Sequence, residues 1–235
     1  MGKDVIVACD FSSAKRTFEF LDLFTERKPF VKIGMELFYA EGPGIVREIK
    51  RRGHKIFLDL KLHDIPNTVK KAMAVLADLD ADIINLHAAG TTAMMQAALE
   101  GVTRPDGTRP KLIAVTQLTS TDQESMERDL LIKEPIEQVV MHYAKTAKLA
   151  GLDGVVCSPL EAGKVHEVCG PEFLTVTPGV RFAEGPQGDQ KRVTTPARAK
   201  ELGSDYVVVG RPITQAEDPV AAYMKCVKDF IDQEV

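Results

Sequence analysis

Short apolar runs alternate along the chain with longer stretches whose apolar positions recur every three to four residues. The short runs fall at 5–8, 31–33, 55–59, 82–87, 112–117, 154–158, 174–177 and 206–210, and most are rich in Val, Ile and Leu. Such runs predict strands buried on both faces. The stretches between them predict helices. One is capped by Ser12 or Ser13 and reaches Phe24, and one over 44–52 stops at Gly53. Others start at Asn67 or Thr68, start at Thr91 or Thr92, or cover 135–150, 160–169, 195–202 and 219–232. Strand followed by helix, eight times over, predicts a (β/α)8 TIM barrel of the α/β class, with 1–235 as a single domain. An open doubly wound sheet is the alternative, but no Gly-x-Gly-x-x-Gly follows a first strand. Two longer loops, 103–110 and 182–192, have the length of lids or binding loops.

Composition narrows the function classes. With 44% hydrophobic and 27% charged residues, the 235-residue chain is of ordinary globular make-up. No apolar run approaches the roughly 18 residues of a membrane helix, so no membrane partner is expected. A net charge of -4 gives nucleic-acid binding no electrostatic support. The cysteines, Cys9, Cys157, Cys169 and Cys226, form no C-x-x-C pair, and Asp10 comes too early for a signal-peptide core. A reduced, cytoplasmic protein is the simplest reading.

In a barrel of this kind, chemistry gathers at the C-terminal ends of the strands. Polar residues stand there throughout: Asp10, Lys32, Asp59, Lys61, His87, Thr116, Thr119, Ser158, Arg181 and Arg211. Strand three is the most informative. Alternation puts Phe57, Asp59 and Lys61 on one face and Leu58 and Leu60 on the other, so Asp59 and Lys61 should point into the barrel mouth. Asp64 follows past the strand, before Pro66. Taken alone, Asp-x-Lys reads more readily as a salt bridge plugging the barrel end. With Lys32, Asp10 and Arg211 expected at the same mouth, the functional reading leads.

A lysine among carboxylates keeps its proton, which suits a proton donor and not a Schiff-base nucleophile. Paired carboxylates repel an anionic substrate group by about 4 kcal/mol per contact at about 4 Å and an effective dielectric near 20. Decarboxylation would relieve that repulsion. A phosphate site is expected after strands seven and eight, where Pro178-Gly179-Val180-Arg181 and Gly210-Arg211 combine accessible backbone with guanidinium forks.

The run Asp59-Leu60-Lys61-Leu62-His63-Asp64-Ile65-Pro66-Asn67-Thr68 resembles the signature of the orotidine 5′-phosphate decarboxylase family, in its bacterial form. Asp-x-Lys-x-x-Asp is shared with related barrels, and Ile-Pro-Asn-Thr makes the match specific. Segments around Asp10, Lys32, Thr116–Ser120, Pro178–Arg181, Asp189–Gln190 and Gly210–Arg211 agree in order, so the resemblance runs from residue 4 to about 223. The resemblance implies conversion of orotidine 5′-monophosphate to UMP in pyrimidine synthesis, through a C6 carbanion that Lys61 protonates. It implies Asp59 beside the substrate carboxylate. It also implies a homodimer in which Asp64 crosses the interface to complete a Lys32–Asp59–Lys61–Asp64 array. It further implies Asp10 and Lys32 at the ribose, with Thr119 and Ser120 at the pyrimidine. Ile65, Thr68 and Pro178 join the substrate-binding set. Arg181, Gln190, Gly210 and Arg211 belong at the phosphate, with Gln190 in a loop that closes over the ligand. No metal and no organic cofactor are implied.

Two other functions fit the charges. One is a related barrel that uses Asp59 to help hold Mg²⁺ for an enediolate of a sugar phosphate. The other is a non-catalytic nucleotide-binding barrel. The histidines show no metal spacing; His63 reads as structural or interfacial, and His87, at the end of strand four, as a barrel-layer or hydrogen-bonded histidine. The cysteines read as buried small hydrophobes.

Overall fold

The computed structural model describes residues 3–182 and 194–231. Eight parallel strands close into a barrel in chain order, and β8 pairs back onto β1. They are β1 (Asp4–Ala8), β2 (Phe30–Gly34), β3 (Ile56–Leu62), β4 (Ile83–His87), β5 (Lys111–Val115), β6 (Gly154–Val156), β7 (Leu174–Thr177) and β8 (Tyr206–Val209). Every predicted strand is present. Around them lie α1 (Ala14–Leu21), α2 (Met35–Glu41), α3 (Gly44–Arg51), α4 (Pro66–Ala77), α5 (Thr91–Val102) and α6 (Gln123–Leu130). The ring continues with α7 (Ile136–Leu149), α8 (Ala162–Cys169), α9 (Pro196–Glu201), α10 (Arg211–Thr214) and α11 (Pro219–Ile231).

The helix signals resolve in detail. Ser13, not Ser12, caps α1 by accepting from the Arg16 N–H. Thr195 caps α9 by accepting from the Arg198 N–H, with Pro196 in its first turn. Gly53 sits at φ 86° just past α3, a left-handed stop that a side chain would resist. Three helices carried no periodic signal, and one of them, α10, spans only four residues. In α6 only Met126 is buried, so there is no apolar stripe to detect; a capping box between Asp122 and Ser125 starts it instead. In α2 only Leu37 is buried over seven residues.

Strand alternation divides the core in two. Ile6, Ala8, Phe30, Phe57, Ile83, Ile113, Val176 and Val208 point inward and fill the barrel. Val5, Val7, Val31, Ile33, Leu58 and Leu60 point outward and pack under the helices. Register sets the height of each inward residue. Ile6 lies beside Phe30, Ala8 beside Lys32, and Lys32 beside Phe57. The apolar layer therefore ends where Lys32 and Asp59 begin.

The loop at 103–110 follows α5 and leads into β5, which puts it at the N-terminal end of the barrel, away from the mouth. Its Arg104 and Arg109 border an opening of about 940 Å³ there. Several charges of that end are held in ion pairs, Lys50–Asp82 at 2.9 Å and Arg109–Asp153 among them. Of the second long loop, 182–192, all but Phe182 lies outside the described residues.

The tightest helix contact is between α4 and α5. A Cβ on Gly101 would overlap the backbone carbonyl of Lys70. Gly101→Ala is expected to push the two helices apart and to lower stability by about 1–3 kcal/mol. A urea melt should show it as a lower midpoint with an unchanged slope.

Candidate active site

The C-terminal mouth of the barrel holds a cavity of about 520 Å³. Phe57 and Val208 form part of its floor, and Asp10, Lys32, Asp59 and Lys61 supply its charged wall. The four charges alternate in sign along a chain of contacts. Asp10 Oδ1 lies 2.9 Å from Lys32 Nζ, Lys32 Nζ lies 3.4 Å from Asp59 Oδ2, and Lys61 Nζ donates to Asp59 Oδ1 at 2.7 Å. Gly34 makes room for the first of these pairs. A Cβ there would sit 3.0 Å from Lys32 Nζ and 3.1 Å from Asp10 Oδ1.

Asp59 is the centre of the cluster, with 7% of its surface exposed. Burial alone would raise its pKa, but Lys32 and Lys61, with hydrogen bonds from Lys61 and Asn85, hold the carboxyl below the usual carboxylate range. Burial would likewise lower the Lys32 pKa, and Asp59 and Asp10 outweigh it, so the ammonium is held above its ordinary value. Each buried charge is stabilised by the other.

β3 delivers Asp59 and Lys61 to the same side, as alternation predicts, but not on a regular strand. Leu58 pairs with Ile84 and Leu62 with Leu86, so the β3 register shifts against β4 between them. Lys61 sits at φ 52° within that bulge. Asn85, fully buried on β4, bridges it: its Nδ2 donates to Asp59 Oδ1 at 2.7 Å, and its Oδ1 accepts from the Lys61 N–H at 2.8 Å. Sequence reasoning missed Asn85. The signal was an amide in an otherwise apolar strand, on the inward face shared with Ile83 and His87.

The other candidates fall into three groups. Thr119, Ser120, Pro178, Arg181, Gly210 and Arg211 line the cavity with the charge chain. Gln215 also lines it, as does Gln117 at the end of the fifth predicted strand, and neither was singled out as a site residue from the sequence. Asp64, Ile65 and Thr68 are exposed and lie off the cavity; the Asp64 carboxylate accepts from the Ile65 N–H at 2.6 Å. Gln190 lies outside the described residues. The residues flanking its segment meet beside Arg181: Val180 bridges to Thr194, and the Arg181 N–H donates to the Thr194 carbonyl at 2.9 Å.

His87 ends β4 half-buried, its ring 5.7 Å from that of His63. Burial, followed by His63 and Lys61, holds it below the ordinary histidine value. All four cysteines are free and buried. Burial pushes the Cys9 and Cys226 thiols up to about 12, which leaves them un-ionised at neutral pH. Among the described residues no three His, Cys, Asp or Glu side chains are grouped to hold a metal ion.

Residues 3–226 match the model of the orotidine 5′-phosphate decarboxylase / HUMPS family. The chain belongs to this family. Among curated members it is 58% identical to the orotidine 5′-phosphate decarboxylase of Bacillus cytotoxicus and 57% identical to that of Bacillus mycoides. Both alignments run over 226 residues and cover 95% of each chain. Among solved structures of similar fold, the orotidine 5′-phosphate decarboxylase of Lactobacillus acidophilus superposes with a TM-score of 0.86 at 43% identity. It covers 97% of this chain and 99% of its own. An uncharacterized conserved protein of Geobacillus kaustophilus superposes at 0.85 with 48% identity, covering 96% and 99%. The family match thus spans nearly the whole chain.

Asp59 couples this site to acid stability. Its folded pKa lies below its unfolded value of about 3.9. Its stabilising contribution is therefore complete above that value and lost as pH falls through the folded pKa. Urea midpoints measured from pH 7 down to pH 3 should fall less steeply for Asp59→Asn than for the natural sequence.

Proposed function

We propose that the chain decarboxylates orotidine 5′-monophosphate to UMP, without metal or organic cofactor, as a cytoplasmic homodimer built from one barrel domain over 1–235. The observation that carries this reading is the Asp10–Lys32–Asp59–Lys61 chain set into the wall of a cavity. Arg181 and Arg211 stand on the loops where such barrels grip phosphate. The names of the relatives favour the decarboxylase over the sugar-phosphate alternative.

The substrate phosphate is held by Arg181, Gly210 and Arg211 together with Gln190. The ribose meets Asp10 and Lys32. The pyrimidine lies against Thr119, Ser120 and Pro178. These grips place the substrate carboxylate beside Asp59, whose charge is locked in by its lysines. The C6–carboxyl bond breaks, carbon dioxide leaves, and the bonding pair stays on C6. Lys61 Nζ then gives its proton to C6 and regains one from water. Phosphate binding far from C6 supplies free energy that holds the carboxylate against Asp59.

Asp64, Ile65 and Thr68 belong to a neighbouring subunit's site. Their exposure and their absence from the cavity of their own barrel support that assignment, because the signature run would otherwise leave three of its residues without a role. Four free cysteines support a reducing compartment. No helix among the described residues is long and apolar enough to cross a membrane.

With orotidine 5′-monophosphate and excess chelator, the natural sequence should deplete the orotate absorbance. Lys61→Ala should reduce kcat by about 10²–10⁴-fold or more. No depletion by a folded dimer overturns the reading, and activity on pentulose or hexulose phosphates with Mg²⁺ would then establish the alternative. Asp64→Ala should be comparably inactive alone. Mixing it with Lys61→Ala should restore about a quarter of natural activity, since half the dimers then carry one intact site. Absence of restoration in subunits shown to exchange would refute the shared site.

A further inference from the structure

We infer that Asn85 is a positioning residue that clamps the β3 bulge and so holds Asp59 and Lys61 in working register. The inference rests on the decarboxylase reading for its kinetic consequence only.

The strand pairing carries the argument. Between the pairs Leu58–Ile84 and Leu62–Leu86, β3 has three residues, Asp59, Leu60 and Lys61, against the single Asn85 of β4. A regular parallel ladder is lost over that span, and the Lys61 N–H takes a side-chain partner, Asn85 Oδ1 at 2.8 Å. Lys61 holds a left-handed φ of 52°, which a long side chain does not adopt without being held. The other end of the same amide donates to Asp59 Oδ1 at 2.7 Å. Its orientation is fixed by its partners: an N–H at Lys61 requires the oxygen, and a carboxylate at Asp59 requires the nitrogen.

One fully buried side chain thus ties the backbone of the proposed proton donor to the carboxylate beside it. Lys61 Nζ closes the loop by donating to the same Asp59 Oδ1. Without the amide, the bulge can relax toward regular pairing. The bulge puts two extra residues on β3, so relaxing it would shift Lys61 along the barrel axis relative to β4 and release its backbone from the left-handed region, away from its contact with Asp59. The titratable groups facing Asn85 are Asp59 and Lys61 from β3, with Lys32 behind Asp59, and His87 on its own strand. Its β5 neighbour is Ile113, which is apolar.

The test uses full-length Asn85→Ala and the isosteric Asn85→Asp. Asn85→Ala should lower kcat for orotidine 5′-monophosphate by about 100-fold with KM nearly unchanged, because the phosphate and ribose contacts lie on other strands. It should slow exchange of the UMP C6 hydrogen with deuterated water to a similar degree, since that exchange needs Lys61 and involves no substrate carboxylate. A natural kcat, or a loss that only tracks the folded fraction, overturns the inference.

If Asn85→Ala does not fold, Asn85→Asp decides. The introduced carboxylate still accepts from the Lys61 N–H, but it donates to Asp59 only when protonated. Its kcat relative to the natural sequence should rise as pH falls, by about tenfold per pH unit above the pKa of the introduced carboxyl, and level off below it. A profile parallel to the natural one overturns the inference. A crystal structure reads the clamp without substrate. Lys61 leaving the left-handed region in either variant supports it, and unchanged β3 geometry refutes it. A natural sequence inert to orotidine 5′-monophosphate, with β3 rearranged in the variant, removes the proposed activity and leaves the clamp standing.

Discussion

A nearly dry carboxylate governs the architecture of the mouth. Asp59 is buried on an inward strand position where an isolated ionised group would be strongly disfavoured. It keeps its charge because Lys32 approaches from β2, Lys61 from its own strand and the Asn85 amide from β4. Remove any one and the others are left imperfectly compensated. The site therefore behaves as one unit, spread over three adjacent strands, and its members have to be considered together.

The barrel supplies what such a unit requires. Below it, the inward apolar residues from Ile6 to Val208 fill the interior and exclude water. Closure of β8 onto β1 fixes the relative height of the strands, so Lys32 stands beside Phe57 and just short of Asp59. Outside, Leu58 and Leu60 anchor β3 against the helices, which limits how far the strand can follow the pull of its charges. Among the described strands, the pairing register shifts in β3, at the bulge that holds Lys61. Strain there is concentrated at the residue to which we assign proton transfer, and it is carried by a hydrogen bond from the neighbouring strand.

The two ends of the barrel also differ in how they use charge. At the N-terminal opening, Lys50–Asp82 ties the end of α3 to the residue before β4, and Lys3–Asp205 ties the residue before β1 to the one before β8. At the C-terminal mouth the charges converge on a cavity, with Asp10 still partly open to solvent at its rim. The first arrangement secures the ends of the chain segments. The second sets an unusual electrostatic field where a ligand can enter.

The sequence by itself determined the eight strands, the helices with an apolar stripe or a clear cap, and the shared face of Phe57, Asp59 and Lys61. These follow from local rules: side chains alternate along a strand, and helix ends need caps. It also marked Arg181 and Arg211, because strand ends are visible as the limits of apolar runs. The polar helix α6 and the short α2 were not legible, since each buries a single residue and leaves no period to read. Asn85 was not legible as part of the site, because its role depends on a register shift between two strands, which no single segment encodes. The order of the charges from Asp10 to Lys61 likewise appears only once the barrel closes. For Asp64 the family resemblance already implied a place away from its own cavity, and the tertiary structure sets Ile65 and Thr68 off that cavity with it. The chain turns outward after β3 to begin α4, and that turn, not the spacing of the motif, decides which way those side chains face.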